Sequence, residues 1–254
     1  MLYSSPIIKS PKWLYTKHLQ TIIPNVYRKV EGVTYQRERI STWDEDFLDL
    51  DWSCIGSSKL IIISHGFEGS SERVYAKGLT KILNANNFDV CAWNFRGCSG
   101  EDNLQLYSYH SGKTDDLDWV VQHILKTKSY NELYMIGISM GGNMTMKYLG
   151  EEKWDSAQKI ISAVTVSVPI HYETSFKHLI KGWNRVYEYR FTKQVKNKVA
   201  QKQHKFPNEM NYKHILESKN LWEFTERCTV PLRGFKNIED YNKKVQASTY
   251  IKNI

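Results

Sequence analysis

The run Gly137-Ile138-Ser139-Met140-Gly141 constrains this chain more than any other feature. It matches G-x-S-x-G, and its flanks differ in character. Residues 133–136 form a short apolar, strand-like run, and residues 142–149 read as a helix. A serine on a sharp strand-to-helix turn is strained and presents its Oγ. Small residues on either side let the two chains pass closely. A chain with this turn is expected to run a strand straight into a helix, as layered α/β folds do.

The rest of the sequence keeps that rhythm. Residues 60–64, 88–95 and 160–168 read as further strands, and 73–86 and 114–126 read as helices. Residues 35–42 and 47–52 read as a hairpin around the acidic turn Asp44-Glu45-Asp46. Thr114 is the expected N-cap of its helix, with Asp115 and Asp116 favouring the positive helix end. Alternation of this kind predicts a mostly parallel sheet with helices on both faces, and ligands bound beyond the carboxyl ends of the strands. Three loops would meet there: 65–71, 96–101 and the serine turn. Residues 170–229 break the rhythm and read as a helical insertion, a cap or lid over the site. The expected organisation is one α/β domain over residues 1–254, with the 170–229 cap inside it.

At 254 residues and 41% hydrophobic content, the chain can bury one sizeable core. No apolar run is long enough to span a bilayer. Met1 to Pro6 do not read as a secretory signal, and Cys54, Cys91, Cys98 and Cys228 show no paired spacing. A cytoplasmic protein with reduced thiols and no metal or other cofactor is expected. Residues 1–150 hold 16 basic and 16 acidic side chains, whereas residues 151–254 hold 19 and 11, which accounts for the net charge of +8. Most of the excess lies between Lys177 and Lys219, interleaved with Trp183, Tyr187, Tyr189, Phe191 and Phe206. The pattern suits either a solvated helical face or contact with an anionic membrane. No nucleic-acid motif accompanies it, so no nucleic-acid partner is expected. Reversing Lys193, Lys196 and Lys198 is the corresponding test of membrane contact.

Ser139 is the candidate nucleophile. A hydroxyl needs a base to take its proton, and histidine is the usual one near neutral pH. The oxyanion needs two preorganised N–H donors. The Met140 backbone and the Phe67 backbone, after His65-Gly66, are the expected pair. His65 is a candidate base at a position that more often supports the oxyanion loop. Cys98 has no evident base and reads as structural.

These residues resemble the YheT-like branch of the α/β-hydrolases, which includes the ABHD1/ABHD3-type animal enzymes and the EMB8 proteins of plants. The resemblance runs through His18-Leu19-Gln20-Thr21-Ile22, Arg37-Glu38-Arg39-Ile40, Asp46-Phe47-Leu48-Asp49-Leu50-Asp51-Trp52 and His65-Gly66-Phe67-Glu68-Gly69. It continues through Asn94-Phe95-Arg96-Gly97-Cys98-Ser99-Gly100-Glu101, Tyr109-His110-Ser111-Gly112, the serine turn, Lys147-Tyr148-Leu149-Gly150-Glu151 and Gly234-Phe235 with Asp240-Tyr241. The resemblance implies an α/β-hydrolase fold and a serine esterase acting on acyl esters or lipids, with acyl transfer to alcohols as a variant. In that family a triad aspartate and histidine follow the segment that resembles residues 234–254. On this expectation the triad acid, the triad histidine and the last strands are missing, and the alternative is a catalytically inactive, truncated hydrolase. The substitutes inside the chain are weak: His171 with Glu173 after the last strand, and His110 with Asp115 in an H-x-x-x-x-D spacing. His204 and His214 read as surface residues.

Overall fold

The computed structural model describes residues 9–254, and the reading of Met1 to Pro6 lies outside them. Strands β1 (Gln36–Ser41) and β2 (Phe47–Ser53) form the expected hairpin, closing with Ser41 opposite Phe47. Then come β3 (Lys59–Ser64), β4 (Asp89–Asn94), β5 (Glu132–Ile138) and β6 (Ile160–Val166). They assemble in the order β1-β2-β4-β3-β5-β6. β2 meets β4 antiparallel, and β4, β3, β5 and β6 run parallel. This is the mostly parallel α/β-hydrolase sheet that the sequence predicts.

Four helices precede or interleave the sheet: α1 (Lys17–Tyr27), α2 (Val74–Ala85), α3 (Thr114–Thr127) and α4 (Met140–Gly150). Side chains alternate along a strand. Leu60, Ile62, Cys91 and Trp93 therefore point to one face, against Leu117 and Val120 of α3 and Met144 and Tyr148 of α4. Ile61, Ile63, Val90 and Ala92 point to the other, against Leu79 and Leu83 of α2. A strand covered on both faces has no polar side to show, and so β3 reads as an unbroken apolar run. Each fully buried Leu or Ile contributes roughly 1.5–3 kcal/mol.

One helix start differs from its sequence reading. Lys113, not Thr114, occupies the cap position of α3, without a side-chain cap. The Thr114 hydroxyl instead donates to Glu151, which also holds Lys147 and the Trp154 indole. The buried Glu151 carboxylate gathers several donors and takes the hydroxyl from the local cap.

After β6 the described chain is helical: α5 (Tyr172–Leu179), α6 (Arg185–Lys205), α7 (Tyr212–Leu216), α8 (Leu221–Phe224), α9 (Val230–Leu232) and α10 (Ile238–Val245). Thr225–Thr229 is a single wide turn between α8 and α9. Thr192, Val195, Val199 and Lys202 recur at helical spacing on the buried side of α6. These helices share their own apolar cluster, including Tyr172, Phe176, Val195, Ile215 and Phe224, and Phe67 packs against it. Phe67 also packs on the sheet core, so the loop after β3 joins the two layers. Among the described residues β6 forms one edge of the sheet, opposite β1, and Ile161 and Val164 on it are each 58% exposed.

Candidate active site

β5 delivers its last residue, Ile138, directly to Ser139, which has φ 54° and ψ −118° and heads α4. A positive φ in a non-glycine residue costs of order 1–3 kcal/mol and persists only where its surroundings enforce it. Two features enforce it here. The Ser139 N–H donates to the Val166 carbonyl of β6 at 2.8 Å. The flanking glycines leave no slack: a Cβ on Gly137 would lie 2.5 Å from the Gly142 Cα, and one on Gly141 would lie 2.3 Å from the carbonyl oxygens of Ser64 and His65.

The loop after β3 lies against this turn. A Cβ on Gly66 would sit 3.3 Å from the Ser139 Cβ. In that loop the Gly66 N–H donates to the Tyr75 hydroxyl at 2.9 Å, and the Glu68 N–H donates to the Tyr109 hydroxyl at 2.9 Å. The Phe67 N–H between them has no protein acceptor among the described residues. Met140 is the first residue of α4, where a helix leaves its N–H unpaired. Ser139, Phe67 and Met140 all line one cavity of about 850 Å³. Its walls include Val168, Tyr172, Phe176 and Phe191.

The histidines divide clearly. His65 is fully buried; its Nε2 accepts the Phe95 N–H at 3.1 Å and its Nδ1 lies 2.7 Å from the Gly66 carbonyl. Nδ1 therefore carries the proton, and no lone pair is left for a substrate or for Ser139. Burial pushes its pKa down to about 3. His65 braces the loop after β3 through these two contacts, the structural reading of its position. His110 lines the cavity with Ser139, but its Nδ1 accepts the Gly112 N–H at 3.1 Å, and burial holds its pKa well below the ordinary value. Asp115 does not partner it, because its carboxylate takes the Lys113 ammonium at 2.6 Å. The H-x-x-x-x-D spacing therefore forms no pair.

His171 is exposed at the cap of α5, outside the cavity lining, and its Nδ1 lies 3.3 Å from the Ser248 hydroxyl. Its neighbour Glu173 pairs with Lys177 on the surface. Neither is brought to Ser139. His204 and His214 are exposed, as expected. Among the described residues no side chain is hydrogen-bonded to the Ser139 hydroxyl, and no group of three metal-ligating side chains is assembled.

The sequence reading missed a polar clamp beside the loop after β3. Glu68 follows Phe67 at φ 50°, and its Oε1 accepts from the Tyr109 hydroxyl at 2.7 Å and from the Lys198 ammonium at 2.9 Å. Lys198 also lies 3.2 Å from the Cys98 Sγ, so Cys98 packs against the clamp. Burial pushes the Cys98 thiol up to about 12. The one available signal was a glutamate inside an otherwise glycine-rich loop. The basic face assigned to Lys193, Lys196 and Lys198 needs the same correction. Lys198 turns inward to Glu68, Lys196 donates to the Ser218 carbonyl at 3.1 Å, and Lys193 alone of the three is exposed.

A family model described as serine aminopeptidase, S33, matches residues 56–246. YheT of Escherichia coli (strain K12), designated an esterase, is 30% identical over 243 residues, covering 93% of this chain and 71% of its own length. Human phospholipase ABHD3 is 25% identical over 252 residues, covering 95% of this chain, which spans 61% of that relative. The esterase Pf2001 of Pyrococcus furiosus superposes with a TM-score of 0.53 at 23% identity over 69% of this chain and 71% of its own, a likeness of fold.

Proposed function

The chain belongs to the serine aminopeptidase (S33) family of α/β-hydrolases, and from that premise we propose that it hydrolyses carboxylic esters of acyl or lipid type through an acyl-enzyme on Ser139. In this reading the Ser139 Oγ attacks the ester carbonyl carbon, and the carbonyl oxygen becomes an oxyanion held by the N–H groups of Phe67 and Met140. Each such donor typically stabilises the transition state by roughly 2.7–4 kcal/mol. The proton given up by the Ser139 hydroxyl goes to the departing alkoxide, and water or an alcohol then takes the acyl group while its own proton returns to the Ser139 oxygen. The observation that carries the reading is a serine held at φ 54° beside two unpaired N–H groups in one apolar cavity. The names of the relatives, an esterase and a phospholipase, favour an ester substrate.

The helices over residues 170–229 are proposed to cap this site, with α6 and α8 forming the wall opposite Ser139. The mouth is proposed to rest on an anionic membrane. Ile22 and Val26 of α1 line the cavity and are exposed, and the His18 Nδ1 meets the Tyr187 hydroxyl of α6 at 3.0 Å. Trp183 and Val186 stand exposed one turn from Tyr187 and Arg190, which line the same cavity. No helix of the described residues is long and apolar enough to cross a membrane.

A second reading rests on the absence of a base hydrogen-bonded to Ser139 among the described residues: the chain binds acyl ligands without turnover. The oxyanion hole and substrate binding retain about 10³–10⁴-fold catalysis over water when a triad member is removed, so the first reading predicts slow reaction, and an acyl-enzyme on Ser139 requires that covalent labelling depend on that residue. The test is fluorophosphonate labelling of the folded chain beside Ser139→Ala. Labelling confined to the unsubstituted chain supports the ester hydrolase, and no labelling of a folded chain over hours sinks it in favour of the binder.

A further inference from the structure

Arg233 stands apart from the other basic side chains that line the cavity. Lys198 is paired with Glu68 at 2.9 Å, and Lys202 with Asp102 at 3.0 Å. Arg73 donates to the Glu68 carbonyl at 2.7 Å, and Arg190 faces solvent. Arg233 is part-buried at the end of α9 and has no carboxylate within 4 Å among the described residues. Its Nη2 donates to the Ser108 carbonyl, and its Cζ lies 4.1 Å from the Tyr107 ring centroid. The nearby acids are taken: Asp115 by Lys113 and Asp116 by Arg96.

A guanidinium does not shed its proton, so withdrawing it from water leaves a fixed charge that Asp116 and Asp115 offset only through space, with no direct ion pair. Burial pulls the Arg233 guanidinium below its ordinary pKa, outweighing the through-space pull of Asp116 and Asp115. Its planar fork has five donors, and the described residues use one. That fork matches the paired oxygens of a phosphate or carboxylate. The same cavity is lined by both apolar and paired polar side chains, and it holds Ser139.

We propose that Arg233 is the subsite for an anionic head group, so that the ester bound at Ser139 is an amphiphile with an acyl chain at one end and a phosphate-type anion at the other. This rests on the ester-hydrolase reading above and narrows its substrate to charged acyl esters.

The experiment uses the full chain as Ser139→Ala, so that binding is read without turnover, by titration calorimetry at pH 7.5. The probes are decyl phosphate, neutral decyl glucoside and inorganic phosphate. Decyl phosphate is expected to bind about tenfold or more tightly than decyl glucoside, the scale of one charge-assisted pair. Adding Arg233→Leu should erase that preference while decyl glucoside still binds, and Arg233→Lys should keep part of it. Retained decyl glucoside binding also reports that the variant is folded. If the preference survives Arg233→Leu, or neither amphiphile binds, the subsite is overturned. Inorganic phosphate binding as tightly as decyl phosphate overturns it too, by making the site one for free anions. Fluorophosphonate labelling uses the intact Ser139 and no head group, so it decides the ester-hydrolase reading separately.

Discussion

The Lys198 ammonium lies 2.9 Å from Oε1 of Glu68, and so helix α6 is tied to the residue that follows the Phe67 amide. Phe67 itself packs edge-on against Phe191 of α6 at 5.4 Å between ring centroids. The helical layer therefore holds the loop after β3 by an ion pair and an aromatic contact.

Removing one partner should loosen that loop. Lys198→Met leaves a buried carboxylate with the Tyr109 hydroxyl as its remaining donor. Breaking a fully buried pair costs about 3–5 kcal/mol. Lys198 is 21% exposed, so solvent screening should bring the loss to about 2 kcal/mol. Urea unfolding should show this loss, and Lys198→Met with Glu68→Gln should recover most of it. Fluorophosphonate labelling should slow about tenfold in the single variant. An unchanged labelling rate would remove the link between α6 and the proposed oxyanion role of the loop after β3.

Ser139 is expected to trade stability for geometry. Glycine adopts φ 54° without strain, so Ser139→Gly should stabilise the fold by about 1 kcal/mol relative to Ser139→Ala. In a chain of this size that is a rise in Tm of roughly 2–4 °C. Both variants should lose labelling. Equal melting temperatures for the two would mean that the turn stores no strain.

The stability of the fold should fall in mild acid because of histidine. The His65 pKa is held by burial at about 3, against an ordinary 6.5. Below pH 6.5 the unfolded chain takes a proton that the folded chain refuses until about pH 3. The unfolded state thus binds more protons across this window, and stability is lost as pH falls, by about 1.4 kcal/mol per pH unit. His110 is shifted the same way, again chiefly by burial. The carboxylates of Asp44, Asp46 and Asp51 are held below their ordinary range, each by hydrogen-bonded partners that outweigh burial, so their contribution is lost only at lower pH. Urea unfolding between pH 6 and pH 4.5 should therefore show a slope that His65→Gln reduces by about half. A slope indifferent to His65→Gln would mean that the imidazole is not held neutral by the fold.

The sheet was legible because its strands are covered on both faces: Leu60 to Ile63 have only apolar neighbours to meet, and the run announces itself. The serine turn was legible for a similar reason, since Gly137 and Gly141 are dictated by backbones that nearly touch. Polar long-range partners were not legible. Arg96 is completely buried and bonded to Asp44 at 2.8 Å, Asp46 at 3.0 Å and Asp116 at 2.8 Å. The acidic turn that read as a simple hairpin tip is thus two ligands of an arginine some fifty residues later. The same blindness made His110 and Asp115 look like a pair. Sequence spacing shows the two side chains but not that Lys113 and the Gly112 N–H have already engaged them.

That hub gives a test of its own. Arg96→Lys keeps the charge but cannot serve three carboxylates with one fork. It should cost about 3 kcal/mol, since buried carboxylates are left short of donors. Conservation of charge alone would predict little change, and urea unfolding separates the two expectations.

The rim of the cavity makes the last prediction. Trp183 is 78% exposed and Val26 62% exposed, both beside residues that line the mouth. Lys181, Arg185 and Lys193 are exposed there without acidic partners among the described residues, whereas Lys196 and Lys198 are turned inward. Aromatic side chains favour the lipid–water boundary, and each basic residue near an anionic bilayer adds about 1 kcal/mol. Ser139→Ala should therefore co-sediment with phosphatidylglycerol-containing vesicles more than with neutral phosphatidylcholine vesicles. Trp183→Ser should weaken binding to both, and Lys181→Glu with Lys193→Glu should weaken only the anionic preference. Lys196→Glu should do much less, because its ammonium already serves the Ser218 carbonyl. If all the lysine substitutions act alike, the attraction is diffuse charge and not this rim. If Trp183→Ser has no effect, the cavity mouth does not face the membrane.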